Sequence, residues 1–119
     1  GYFIAPTIIK TTQSDLSVIC DEQFGPVLPV IPYDDVKEVM KDAIHKEFAL
    51  GGSVWGEESE ELDWVVEQLD SGTVWINNHA EVLPHIPFGG NKLSGLGVEF
   101  GVEGFLENTC RKVVSHSKK

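Results

Sequence analysis

Between Val27 and Ile76 the hydrophobic pattern switches repeatedly between two periods, and this alternation restricts the fold more than any other feature. Val27 to Ile31 is apolar throughout, as expected of a strand buried on both faces. Val36, Val39, Met40, Ala43 and Ile44 then recur at i, i+3, i+4, i+7 and i+8, one face of a helix. Asp34 or Asp35 can cap its start, because a short acid accepts from the free backbone amides there. Leu50 to Trp55 reads as the next strand. Ser59 can cap a second helix that buries Leu62, Val65, Val66 and Leu69, and Gly72 is placed to end it in the left-handed conformation. Thr73 to Ile76 is a third strand. Strand, helix, strand, helix, strand predicts right-handed parallel crossovers in an α/β sheet.

The flanks are less regular. Tyr2 to Ile9 mixes aromatic and β-branched residues around Pro6, which suggests an edge or irregular strand. Thr11 to Asp15 is turn-like, and Leu16 to Cys20 is a short strand-like run in which Cys20 is expected buried and inert. Asp21 to Pro26 is a loop, since Gly25 and Pro26 break both periods. Residues 77–97 hold no long periodic segment, and such a stretch in a domain is usually functional or disordered. Glu99 to Asn108 reads as a short helix and Arg111 to Ser115 as a last strand, with Cys110 at its start. Trp55, Trp64 and Trp75 read as core or edge packing.

Composition excludes several classes of partner. The 119 residues are one domain or a piece of one, and 41% apolar content is enough for a core. Nine basic residues face 19 acids, a formal charge of −10, which makes nucleic acid and anionic membranes poor partners. The bland reading of that charge is solubility. Two cysteines, Cys20 and Cys110, do not make a secreted disulfide scaffold. No apolar run approaches the roughly 20 residues of a membrane helix. No N-terminal signal is visible, but Gly1 opens directly into Tyr2-Phe3-Ile4, so this says little about a parent protein. The expected location is cytoplasmic.

Three blocks carry a family resemblance. They are Gly1-Tyr2-Phe3-Ile4-Ala5-Pro6-Thr7, then Glu22-Gln23-Phe24-Gly25-Pro26-Val27, then Pro87-Phe88-Gly89-Gly90-Asn91-Lys92-Leu93-Ser94-Gly95-Leu96-Gly97 with Glu99 and Gly101. Together they resemble the NAD(P)-dependent aldehyde dehydrogenase superfamily, and Ser71-Gly72-Thr73-Val74-Trp75-Ile76-Asn77 supports the match. Val98 stands where many members carry arginine, and Asp21 and Gln23 flank Glu22 where an acid and an apolar residue are common. These departures bear on the subfamily.

The resemblance implies a fold and a reaction. The fold is the C-terminal part of the α/β catalytic domain over residues 1–109, with an oligomerisation strand and tail over 110–119. In the family a cysteine thiolate attacks the aldehyde, hydride passes to NAD or NADP, and a glutamate-activated water hydrolyses the resulting thioester. Both the cysteine and the base precede the first block matched here, so this segment is expected to contain neither and to be inactive alone. The residues that would choose NAD over NADP also lie upstream in the family. The implied partners are an aldehyde substrate and further copies of the chain, joined through the C-terminal strand.

The resemblance also implies site residues. Glu22 matches the glutamate that binds the nicotinamide ribose; a carboxylate can accept from both hydroxyls and fix the ring. Its alternative is an exposed loop acid. Phe24 matches a ring near that ribose, with core filling as the alternative. Phe88 matches an aromatic of the aldehyde tunnel, or simply anchors its loop. Asn78 to Ile86 matches the variable loop that shapes substrate preference.

Other motifs are weaker. His79 and His85 lack the spacing and company of a zinc site, so no metal is expected. Lys92 is followed by Leu93, which breaks the phosphate-loop pattern, and Phe100 occupies the third glycine of a dinucleotide fingerprint begun at Gly95. The glycine-rich stretch reads instead as a turn into the last helix. Neither Cys20 nor Cys110 lies in a nucleophile context. A non-catalytic α/β module that self-associates through Arg111-Lys112-Val113-Val114-Ser115 is the alternative function.

Overall fold

The computed structural model describes residues 1–44 and 46–118. Its first unit pairs β1 (Thr7–Lys10) with β2 (Val27–Val30) in parallel, in register from Thr7 opposite Val27 to Lys10 opposite Val30. The sequence pattern predicts a β2 buried on both faces, but Leu28 and Val30 are exposed while Val27 and Pro29 are half-buried. Pro29 has no N–H to give a second neighbour, which suits a strand hydrogen-bonded to β1 alone. Tyr2 to Ile4 lies outside β1 and is exposed.

Leu16 to Cys20 is not strand-like. It forms a single helical turn, α1 (Ser17–Cys20), closed by Ile19 and Cys20 amides on the Leu16 carbonyl and by the Asp21 amide on Ser17. A run this short carries no period that separates the two states. Cys20 is consequently exposed rather than buried.

The two predicted helices between Val27 and Ile76 are present, with the expected caps. In α2 (Val36–Ile44) the Asp35 carboxylate accepts from the Lys37 amide at 2.7 Å and from the Glu38 amide at 3.4 Å. In α3 (Glu60–Gln68) the Ser59 hydroxyl accepts from the Leu62 amide at 3.2 Å. The two helices pack on each other, and α3 packs on β4 (Gly51–Val54). Among the described residues, Met40, Leu62 and Val65 from the helices, with Ala49, are the buried apolar side chains.

β4 runs through α3 into β5 (Thr73–Ile76), and the two strands pair in parallel from Gly51–Thr73 to Val54–Ile76. The predicted continuous sheet is interrupted, however. β2 and β4 are not paired; β3 (Phe48–Ala49) intervenes and turns to pair antiparallel with β7 (Asn91–Lys92). Another antiparallel pair, β6 (Phe88–Gly89) with β8 (Val98–Glu99), leads into α4 (Gly101–Glu107). Gly101 has φ +60, and an added Cβ there would meet Pro87 at 2.9 Å.

Gly72 does a different job from the one predicted. α3 ends at Leu69, whose backbone is extended, and Gly72 is not left-handed. Its missing side chain instead lets the Gly89 carbonyl lie against it, where any Cβ would collide. The glycine therefore sets how closely β5 approaches β6.

Lys92 ties the middle of the molecule together. Its ammonium donates to the carbonyl of Ile44 at 2.7 Å and of Lys46 at 3.3 Å, and pairs with the Asp70 carboxylate at 3.1 Å. Around it the Leu93 amide donates to the Glu47 carbonyl, and the Ser94 hydroxyl accepts from the Ala49 amide at 2.8 Å.

Residues 110–118, where Arg111 to Ser115 is expected to pair as a strand with a further copy, lie outside the strands of the described chain. A strand exists only against a partner, and this chain offers these residues none within the described structure. The whole is open. The radius of gyration is 19.4 Å, against about 13–14 Å for a compact domain of this length. The accessible surface is 9935 Å², roughly 3,500 Å² more than a folded monomer of 13.1 kDa exposes.

Two stability effects are expected. Gly72→Ala should cost about 3 kcal/mol, because the clash is with backbone and cannot be relieved by a side-chain rotation. An unchanged urea midpoint would refute the close approach. Lys92→Ala should cost about 1 kcal/mol, because the carbonyls and the carboxylate it leaves are exposed and water can replace the ammonium, with faster hydrogen exchange at the Leu93 amide as its local sign.

Candidate functional site

Glu22 and Phe24 occupy one loop, pinned at both ends. The Asp21 amide bonds back into α1, and at the far end the Thr7 amide donates to the Pro26 carbonyl at 2.9 Å. Between these ties the chain leaves regular structure and presents Glu22 to solvent. Phe24 is 94% exposed, so it does not fill the core of this chain. A carboxylate with two acceptor oxygens and an uncovered aromatic ring thus stand two residues apart on a pinned loop.

A second tie joins this loop's base to the rest of the fold. The Lys46 ammonium donates to the Ser14 carbonyl at 2.9 Å and lies 3.5 Å from the Cys20 sulfur, at the end of α1.

Phe88 lies on the other side of the molecule's organisation, in β6. It is half-buried and lines an apolar cleft of about 250 Å³ with Trp75, Val82, Leu83 and Ile86. This cleft is bounded by the 78–86 loop, so Phe88 and the loop that the family likeness points to are brought together. Glu22 and Phe24 belong to the β1–β2 unit and Phe88 to the β6–β8 pair, and those strands share no ladder.

Trp75 organises the cleft, which goes beyond the packing role predicted for it. Its indole N–H donates to the Glu81 carbonyl at 2.9 Å. Its ring meets His79 edge-on at 5.4 Å between centroids and lies 6.4 Å from Phe88. Asn77 closes the root of the loop: its side-chain oxygen accepts from the Gly56 amide at 2.9 Å and its NH₂ donates to the Gly56 carbonyl at 2.8 Å. No sequence period announces a side chain bonded to a loop carbonyl six residues on. An asparagine just past a strand is a signal for such a turn.

The glycine-rich stretch is structural. Asn91, Lys92 and Ser94 are all engaged with backbone groups of residues 44–49 and 70, which leaves Lys92 committed to the fold rather than to a phosphate. Cys110, like Cys20, is exposed. Among the described residues no group of three His, Cys, Asp or Glu side chains is placed to hold a metal, and no helix is long and apolar enough to cross a membrane.

Comparison with known proteins places this geometry. Residues 1–114 match the model of the aldehyde dehydrogenase family. Phenylacetaldehyde dehydrogenase of Pseudomonas fluorescens is 39% identical over 102 residues, 85% of this chain and 20% of that protein. Betaine aldehyde dehydrogenase of Bacillus subtilis is 38% identical over 119 residues, 100% of this chain and 24% of that protein. Among solved structures, Mycobacterium tuberculosis aldehyde dehydrogenase complexed with NAD+ superposes with a TM-score of 0.79 at 38% identity, covering 87% of this chain and 21% of that one. The chain therefore spans only about a fifth to a quarter of the length of the relatives it matches. Over that span its α/β fold is theirs, and the chain belongs to the aldehyde dehydrogenase family.

Proposed function

We propose that this segment works within an NAD-dependent enzyme that oxidises an aldehyde to a carboxylic acid through a cysteine thioester, with the thiolate and the general base supplied from outside residues 1–119. The observation that carries the reading is the pinned loop with Glu22 and Phe24 at its exposed tip. Bound NAD supplies the hydride acceptor. Glu22 accepts hydrogen bonds from the nicotinamide ribose hydroxyls, and two carboxylate oxygens suit two hydroxyls. Phe24 limits the positions the ribose can take. Phe88, in the apolar cleft, lines the aldehyde's path and keeps water from its carbonyl end. The NAD complexes among the structural relatives support NAD; the choice against NADP rests on residues beyond this segment.

The same reading accounts for the open surface. Tyr2, Phe3, Phe24, Leu96 and Val113 are all at least 84% exposed, far more apolar surface than a monomeric domain leaves wet. In the full enzyme this surface is covered by the remaining protein, and residues 110–119 act as an oligomerisation strand that forms only when a second copy supplies its ladder. The alternative, a self-associating module without catalysis, draws on the same exposed surface. Alone, the segment has neither nucleophile nor base and is inactive.

Two measurements test this. The isolated segment should associate with itself, seen as a sedimentation coefficient that rises with concentration; a clean monomer throughout would count against the covered surface. In the full-length enzyme, Glu22→Gln should slow NADH formation in a single turnover by about a hundredfold at saturating cofactor, since errors of about 1 Å at a reacting carbon cost that much. Cofactor affinity should fall much less, because the ribose contact is one of many. A wild-type single-turnover rate would remove Glu22 from the site.

A further inference from the structure

The cleft beside Phe88 has a wall that does not stand by itself. Asn77 has φ 53 and Ala80 has φ 57, both left-handed. For alanine that conformation is uphill by about 1–2 kcal/mol, so it persists only where neighbours over-determine it. The neighbours are identifiable. Asn77 is held to Gly56 by two hydrogen bonds. One residue past Ala80, Glu81 is held twice: its carboxylate accepts from the Asn78 side chain at 3.0 Å, and its carbonyl accepts from the Trp75 indole at 2.9 Å. The carboxylate tie is local and exposed, and reaches only within the loop. The indole tie reaches from the loop to β5.

The indole itself cannot shift freely. It lies against Gly51 of the neighbouring strand, where an added Cβ would come within 2.6 Å of the ring. On its other contacts are His79 of the loop and Phe88 of the cleft. One rigid group therefore touches the strand, the loop and the Phe88 ring, and fixes the distance between the last two.

Resting on the proposed function, we infer that Trp75 is a positioning residue for substrate selection: its N–H bond to the Glu81 carbonyl holds the 78–86 loop at the width that decides which aldehydes pass Phe88. Without that bond Ala80 relaxes out of the left-handed region, Glu81 moves, and Val82, Leu83 and Ile86 move with it. The cleft then loses its fixed width. Bulky aldehydes gain and slim ones lose, while the cofactor end, on a different sheet, is unaffected.

The test uses the full-length enzyme with Trp75→Phe, which keeps a ring but has no N–H, and His79→Ala, an exposed position whose change removes only the edge contact. Propanal and phenylacetaldehyde are the probes. Trp75→Phe is expected to shift the ratio of their kcat/KM values about tenfold toward phenylacetaldehyde, the scale on which apolar pockets discriminate. The change should fall mainly in KM for aldehyde, with KM for NAD unchanged. His79→Ala keeps the indole N–H and should leave the ratio near the wild-type value; a shift there equal to that of Trp75→Phe would overturn the role of the N–H bond. Amide exchange across 79–83 should quicken in Trp75→Phe, and, should that variant fail to fold, unprotected 79–83 amides in the wild-type enzyme overturn the inference while protected ones support it. An active Trp75→Phe enzyme whose ratio is unmoved overturns the role of Trp75. A wild-type enzyme that oxidises neither aldehyde nor any other overturns the proposed function, and this inference with it.

Discussion

Two lysine ammonium groups hold the molecule's parts in a fixed relation. Lys46 reaches the Ser14 carbonyl near the Glu22 loop, and Lys92 reaches the carbonyl of Lys46, that of Ile44, and the Asp70 carboxylate. The β1–β2 unit, the end of α2 and the turn after α3 are thereby joined by ammonium-to-oxygen bonds. Such bonds bear more weight here than in a compact domain, since the shared apolar core is slight. The relation between the Glu22 loop and the Phe88 cleft depends on them.

Legibility from sequence followed how local each feature's cause is. α2 and α3 carried a full helical period and a capping acid or hydroxyl next to it, and Asp35 and Ser59 cap as expected. β5 was readable because Gly72 and Asn77 bracket four β-forming residues. What failed was what depends on distant partners. The break between β2 and β4 reflects which strands are available to pair, and no local pattern records that. Leu16 to Cys20 was too short to carry a period. Gly72 was read for its backbone freedom, when its use is the lack of a Cβ against Gly89.

The site divides the same way. Glu22, Phe24 and Phe88 stand out through the blocks around them, and the structure sets them on a pinned loop and in an apolar cleft. Lys92 lies in an equally prominent block yet is consumed by the fold. Trp75 reads only as packing from the sequence, because its partner is a backbone carbonyl and a carbonyl looks the same in every sequence.

The two hydrogen bonds between Asn77 and Gly56 have a consequence for how freely the chain beyond β5 can vary. The β4–β5 ladder is backbone to backbone as far as the Asn77 amide on the Val54 carbonyl. Beyond that, the Asn77 carboxamide presents one donor and one acceptor to Gly56, as a peptide unit of the next rung would. A side chain thus imitates one more step of strand while the real backbone is already free to turn away. The sheet is finished before the loop begins. Residues after Asn77 can therefore vary with little effect on the backbone pairing of β4 with β5, while the Trp75 indole still ties the loop they form to the strand beneath.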